Sequence, residues 1–173
     1  DLYDLLIEHD KGTLKDTAAF DVRVAKAVND AVALQVDNGI DIVSDGEMGK
    51  IAYTFYVKHR LSCIEEGDPP GEDVPKEILN ADLADHPDFL AQVRKARGGW
   101  ATSFARSWVT GPVIYENREP LEKDLANLAN ATGASKPVEA FMNSASPGVL
   151  SKFVPDAYYR NEDAYISAIA DAM

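Results

Sequence analysis

Gln35-Val-Asp-Asn-Gly-Ile-Asp-Ile-Val-Ser-Asp-Gly-Glu47 is the stretch that decides the fold of this 173-residue chain. The segment ahead of it, residues 17–38, sets Phe20, Val24, Ala27, Val28, Ala31 and Gln35 at helical spacing. Gly39 then stands where a helix is stopped by a residue free to take a left-handed backbone. The run Ile40-Asp-Ile-Val43 is short and β-branched, as expected of a buried strand. Helix, tight turn and strand form the unit of an α/β fold, whose ligands bind beyond the carboxyl ends of the strands. Asp45 and Glu47 fall at that end.

Outward from this unit, residues 53–64 carry Phe55, Tyr56, Lys58, His59, Arg60 and Leu61 and are expected to form a helix on the outside of a sheet. Residues 66–88 are acidic and rich in proline and read as an exposed insertion or lid within a single domain spanning 1–173. A short helix is expected over 87–96, stopped by Gly98-Gly99. Strand-like sequence follows over 102–109, breaks at Gly111-Pro112 and resumes at Val113-Ile-Tyr115. A helix over 120–131 has proline in its first turn and Gly133 beyond its end. Residues 137–142 read as a strand, 143–148 as its exit loop, and a last helix starts near Asn161-Glu162.

The sum is about three or four strands alternating with helices, roughly half of a TIM-type (β/α)8 barrel. A complete barrel takes roughly 250 residues. A parallel sheet this narrow would leave backbone groups unpaired at both edges, so more polypeptide is expected, from a missing carboxy-terminal half or a partner chain, with a homo-oligomer as another route. Both ends read as cut.

Composition narrows the partners. A net charge of −12 repels a nucleic-acid backbone and an anionic membrane surface, so neither is expected and a small molecule is favoured. The single cysteine, Cys63, excludes an internal disulfide and a multi-thiolate metal site within the chain, and fits a reducing cytoplasm. Cys63 reads as a buried or incidental thiol on an outer helix. His9, His59 and His86 lie among charges and loops and read as solvated.

Gly46-Glu47, the block from Ser103 to Pro120 and the block from Lys136 to Phe153 together resemble the cobalamin-independent methionine synthase family, zinc enzymes built on an α/β barrel of the type shared with uroporphyrinogen decarboxylase. Gly46-Glu47 occupies the place of the family's Gly-Glu pair, reached through a helix ending in a Gln-x-x-Gly-type turn. Ser103-Phe-Ala-Arg106-Ser107-Trp-Val-Thr-Gly-Pro112 through Arg118-Glu-Pro120 is similar to the family's Arg-Cys…Pro-x-Ile…Arg-Pro segment, with serine in place of the cysteine. Lys136-Pro-Val-Glu-Ala-Phe through Ser146-Pro147-Gly-Val-Leu-Ser-Lys-Phe153 is similar to its Arg-Pro…Thr-Gly-Pro-Val-x-x-x-x-Trp strand and loop, with Phe153 in place of the tryptophan.

The resemblance implies methyl transfer from 5-methyltetrahydrofolate to the thiol of homocysteine. Zinc would hold the sulfur as a thiolate, with its ligands, an aspartate and a Gly-Ser motif all outside this chain. It also implies that Glu47 binds the homocysteine amino group, that Arg106 and Ser107 contact the folate and that Phe153 packs on the pterin. A related thiol alkyltransferase of the coenzyme M type and a non-catalytic half-barrel serving binding or assembly are the other expectations. Each residue has a plainer role beside the functional one. Glu47 is a ligand for an ammonium or the cap of a following helix; Asp45 is a ligand or a turn residue. Arg106 clamps a carboxylate of the folate or of the protein itself. Ser146 hydrogen-bonds a ligand or shapes its loop.

Overall fold

A computed structural model describes residues 1–67, 85–96 and 107–173. The chain divides into two compact units, Asp1–Arg60 with Glu116–Ala145, and Leu61–Tyr115 with Ser146–Met173.

The first unit contains helices α1 (Leu2–Asp10), α2 (Thr17–Asp37) and α4 (Glu119–Ser135), strands β1 (Ile42–Ser44) and β4 (Glu139–Phe141), and a 3₁₀ turn at Phe55–His59. Asp16 caps α2 by accepting from the Ala19 amide at 2.9 Å, satisfying one of the orphan donors of the first turn. The i, i+4 row Phe20, Val24, Val28 and Val32 is buried and packs with Leu6, Val43, Leu128 and Ala131 as the core of this unit. Burial of these side chains, each contributing on the order of 1.5–3 kcal/mol for the larger ones, is what holds α2 against α4 and β1. β1 and β4 pair in parallel, with Val43 opposite Ala140.

The second unit contains β2 (Ile64–Glu66) paired antiparallel with β3 (Ser107–Val109), and helices α3 (Pro87–Ala96), α5 (Pro147–Phe153) and α6 (Glu162–Ala172). Trp108, Val109, Leu150, Val154, Tyr165 and Ile169 are its buried side chains. The Trp108 indole donates to the Gly67 carbonyl at 3.0 Å and the Tyr165 hydroxyl to the Val154 carbonyl at 2.7 Å, so both polar tips are satisfied inside the core.

The structure departs from the expectations at several places. Val113-Ile-Tyr115, expected to resume a strand, contributes only an isolated bridge between Tyr115 and Leu61. Residues 53–64 form a 3₁₀ turn and then a strand, not an outer helix. Thr54 and Val57, three apart, bury at 2% and 4% exposure, which suits threefold winding, and Cys63 at φ 54° breaks any longer helix and lies exposed. β1 is shorter than expected and only its Val43 is buried; Ile40 and Ile42 are 47% and 51% exposed. β3 does not extend a parallel sheet, because it takes β2 as an antiparallel partner. α4 runs through Gly133 to Ser135 and ends on Lys136 in the left-handed conformation, φ 52°. Residues 147–148, expected as the end of the exit loop 143–148, begin α5, because Ser146 caps and Pro147 starts it. The 66–88 insertion falls largely outside the described residues.

Candidate functional site

The turn after β1 is fixed from the helix that precedes it. Gln35, on the last full turn of α2, donates through Nε2 to the carbonyl of Ser44 at 2.9 Å and accepts through Oε1 from the Ser44 amide at 3.0 Å. One side chain thus satisfies both backbone groups at the end of β1, where ladder pairing stops. Beyond it the chain reverses through two consecutive left-handed residues, Gly46 at φ 64° and Glu47 at φ 54°. Gly46 is required twice over, since a Cβ there would also lie 3.2 Å from the Cβ of Ala31. Glu47 carries the same conformation with a side chain, a strain of about 1–2 kcal/mol that the surrounding hydrogen bonds must offset.

The two carboxylates of this turn have separate fates. Asp45 is buried; its Oδ1 accepts from the Glu47 amide at 3.0 Å, and its Oδ2 lies 3.3 Å from the Nζ of Lys50, which is buried too. This is turn chemistry, the plainer of the two roles. Glu47 is partly exposed, its amide and carbonyl are committed to Asp45 and to the Lys50 amide at 3.0 Å, and among the described residues nothing pairs with its carboxylate. No helix begins at Glu47, so the cap role falls away; the next element is the 3₁₀ turn at Phe55.

The other expected site residues belong to the second unit. Ser107 lies in β3, 7% exposed. Ser146 accepts from the Val149 amide at 3.3 Å as the cap of α5, and Phe153 closes the same helix, 41% exposed. Arg106 lies outside the described residues. The structure therefore brings Asp45 and Glu47 together in one turn and sets Ser146 and Phe153 at the two ends of one short helix.

A second polar cluster, in the first unit, is one that sequence reading missed. Asp10, buried at the end of α1, meets Lys58 Nζ at 2.9 Å and His59 Nε2 at 3.4 Å. His9 stacks on Phe20, centroids 5.0 Å apart, and lies 5.3 Å from the His59 ring. Arg60 pairs with Asp124 and covers the Tyr56 ring at 4.5 Å. Lys123 reaches Asp21 at 3.0 Å and Glu119 at 3.3 Å.

Partial burial, reinforced by the neighbouring His59, holds the His9 pKa below the ordinary histidine value; Asp10, Asp21 and Lys123 act on it more weakly. Burial pushes Asp10 up, but the hydrogen bonds from His59 and Lys58 outweigh it and hold Asp10 below the usual aspartate value. The adjacent cations Lys58-His59-Arg60 were the visible signal. Their partners lie 48 to 64 residues away along the chain, which no local pattern reveals.

Among the described residues no three His, Cys, Asp or Glu side chains gather as a metal site, and no helix is long and apolar enough to cross a membrane.

No protein-family model matches the chain, and no curated protein matches it. Its fold is similar to that of a B12-independent methionine synthase from Shewanella sp. W3-18-1, solved in complex with selenomethionine. The TM-score is 0.62 at 15% sequence identity, over 92% of this chain and 38% of that one. The chain thus spans well under half the length of that structure. The likeness is one of fold: a mixed α/β arrangement compatible with part of a barrel.

Proposed function

We propose that this chain is part of a methyltransferase related to the cobalamin-independent methionine synthases, and that Glu47 binds the ammonium of an amino-acid thiol, homocysteine in the first instance. The observation that carries the reading is the Glu47 carboxylate itself. It stands just beyond the carboxyl end of a parallel strand, on a strained left-handed turn, with no partner among the described residues, while the neighbouring Asp45 is neutralised by Lys50. Backbone strain at a position whose side chain serves no internal contact supports a binding role.

A carboxylate there pairs with an ammonium through charge-assisted hydrogen bonds and holds the rest of the molecule in register. On this reading the chain supplies binding and orientation. The thiol-activating zinc and the remaining strands of the barrel come from polypeptide outside it, and the described residues do not form the zinc site. The exposed apolar residues of the β1–β4 region, Ile42, Val138 and Phe141 at 51%, 80% and 52%, support the completion of this sheet by further strands. Contact with the folate donor is proposed for Ser107 and Phe153, and the resemblance of the sequence extends the same role to Arg106.

Calorimetric titration of homocysteine into the chain and into Glu47→Gln tests the assignment. Loss of a charge-assisted pair is expected to weaken binding by about tenfold or more; equal affinity for the two proteins would remove Glu47 from the site.

A further inference from the structure

The first unit holds a cavity of about 380 Å³, at the small end of the roughly 300–1,000 Å³ typical of ligand pockets. Its walls come from α1, the start of α2, the turn at Gly49, the 3₁₀ turn with Arg60 after it, and the first turns of α4. Neither Asp45 nor Glu47 lines it, so it is separate from the carboxylate assigned above to the ammonium.

Two buried cations stand in this wall. The Arg60 and Lys50 side chains are 9% and 2% exposed, and they lie against the Tyr56 ring at 4.5 and 5.5 Å from its centroid. Neither has spent all its donors. Arg60 gives Nη2 to Asp124, while its buried Nε has no hydrogen-bond partner. Lys50 donates once, over a long 3.3 Å to Asp45, where an ammonium carries three donors. A buried N–H without an acceptor is costly, more so on a charged group, and an acceptor brought to Arg60 removes a cost the fold already carries.

The carboxylates of the wall already have cationic partners. Asp124 has Arg60, Asp10 has Lys58 and His59, and Asp21 and Glu119 share Lys123. The buried donors left over therefore sit on cations, which is the chemistry that binds an oxyanion. Such a ligand breaks no internal pair, because Arg60 serves two acceptors at once, through Nη2 and Nε. Asp124 and Asp45 already offset one charge on each cation, so a second negative charge on the ligand would be buried without compensation; the site suits a monoanion rather than a dianion.

The rings of the wall are engaged from within: His9 stacks on Phe20 at 5.0 Å, and Tyr56 carries the two cations. The remaining apolar lining is aliphatic, from Leu6, Val24, Ile51 and Pro120. We propose that this cavity binds a small aliphatic monocarboxylate, one oxygen accepting from Arg60 Nε, Lys50 adding its charge, and the alkyl chain lying against Leu6, Val24, Ile51 and Pro120.

Proton–nitrogen NMR of the intact chain, read at the Arg60 Nε–H resonance, tests this with hexanoate, its neutral isostere hexanamide, acetate and inorganic phosphate. Hexanoate is expected to saturate, to move the Arg60 resonance downfield and to bind about tenfold or more tighter than hexanamide, the difference between a charge-assisted and a neutral hydrogen bond. Acetate, which lacks the chain, is expected to bind about tenfold more weakly, as for two methylenes left in water. Arg60→Lys keeps a cation for Asp124 but removes Nε, and is expected to weaken hexanoate by about tenfold. The Arg60 resonance of the parent chain carries the test independently of how that variant folds. Failure of hexanoate to saturate, a stationary Arg60 Nε–H, unchanged affinity in a folded Arg60→Lys, or hexanamide, acetate or phosphate binding as tightly as hexanoate would overturn the proposal.

Discussion

The Nζ of Lys50 lies 3.3 Å from Oδ2 of Asp45, with the two side chains 2% and 4% exposed. This pair decides how the turn after β1 is used. It cancels the Asp45 charge inside the protein, where an unpaired carboxylate would carry a desolvation penalty of several kcal/mol, and it leaves Glu47 as the carboxylate available to a ligand. Lys50→Met strands the buried Asp45 and is expected to destabilise the first unit by about 3–5 kcal/mol. Asp45→Asn combined with Lys50→Met is expected to recover most of that loss. Urea denaturation of the two variants measures the difference; equal destabilisation would mean that the pair does not act as a unit.

Glu47 at φ 54° gives a second prediction. Glu47→Gly relieves the left-handed strain of about 1–2 kcal/mol while giving back about 0.5–1 kcal/mol in chain freedom. The variant is therefore expected to melt no lower than the parent and to be at most about 1.5 kcal/mol more stable, yet to lose homocysteine binding. A lower melting temperature would show that the Glu47 side chain stabilises the fold.

Acidification acts on α1 through two groups in sequence. The folded His9 pKa lies below the ordinary 6.5, so the unfolded chain takes up a proton first and stability falls as pH drops below about 6.5. The folded Asp10 pKa lies below the ordinary 3.8; its contribution is fully present above that value and is lost as pH falls further through the folded pKa. Thermal melts are expected to decline in two stages from neutral pH downward. His9→Phe, which keeps a ring against Phe20, should abolish the first stage and leave the second.

Ser146 accepts from the Val149 amide as the cap of α5. Ser146→Ala is expected to cost about 1 kcal/mol in the second unit and to leave thiol affinity unchanged. A loss of ligand affinity larger than the loss of stability would give Ser146 the ligand role instead.

The parts of the fold legible in the sequence are those set by local chemistry. α2 reads from its apolar row and its Gly39 stop, α3 from the proline and the glycines that flank it, and the start of α6 from Asn161, whose side chain accepts from the Ala164 amide. The turn bearing Asp45 and Glu47 was legible for the same reason: every contact that shapes it comes from within about a dozen residues, Gln35 included. What was not legible depends on distant partners. The direction of β3 is set by β2 across the chain. Lys58, His59 and Arg60 look like a solvated helical face until Asp10 and Asp124 are brought to them. α5 is hidden because Ser-Pro-Gly reads equally as a turn and as the start of a helix.

The most direct measurement of the central claim is the ¹³C shift of the Glu47 side-chain carboxyl as ligand is added. Homocysteine is compared with 4-mercaptobutanoate, the same molecule without its amino group. The account predicts a saturable shift with homocysteine and none with the amine-free analogue. No shift with homocysteine, or the same shift with both, would contradict the assignment of Glu47 to the ammonium.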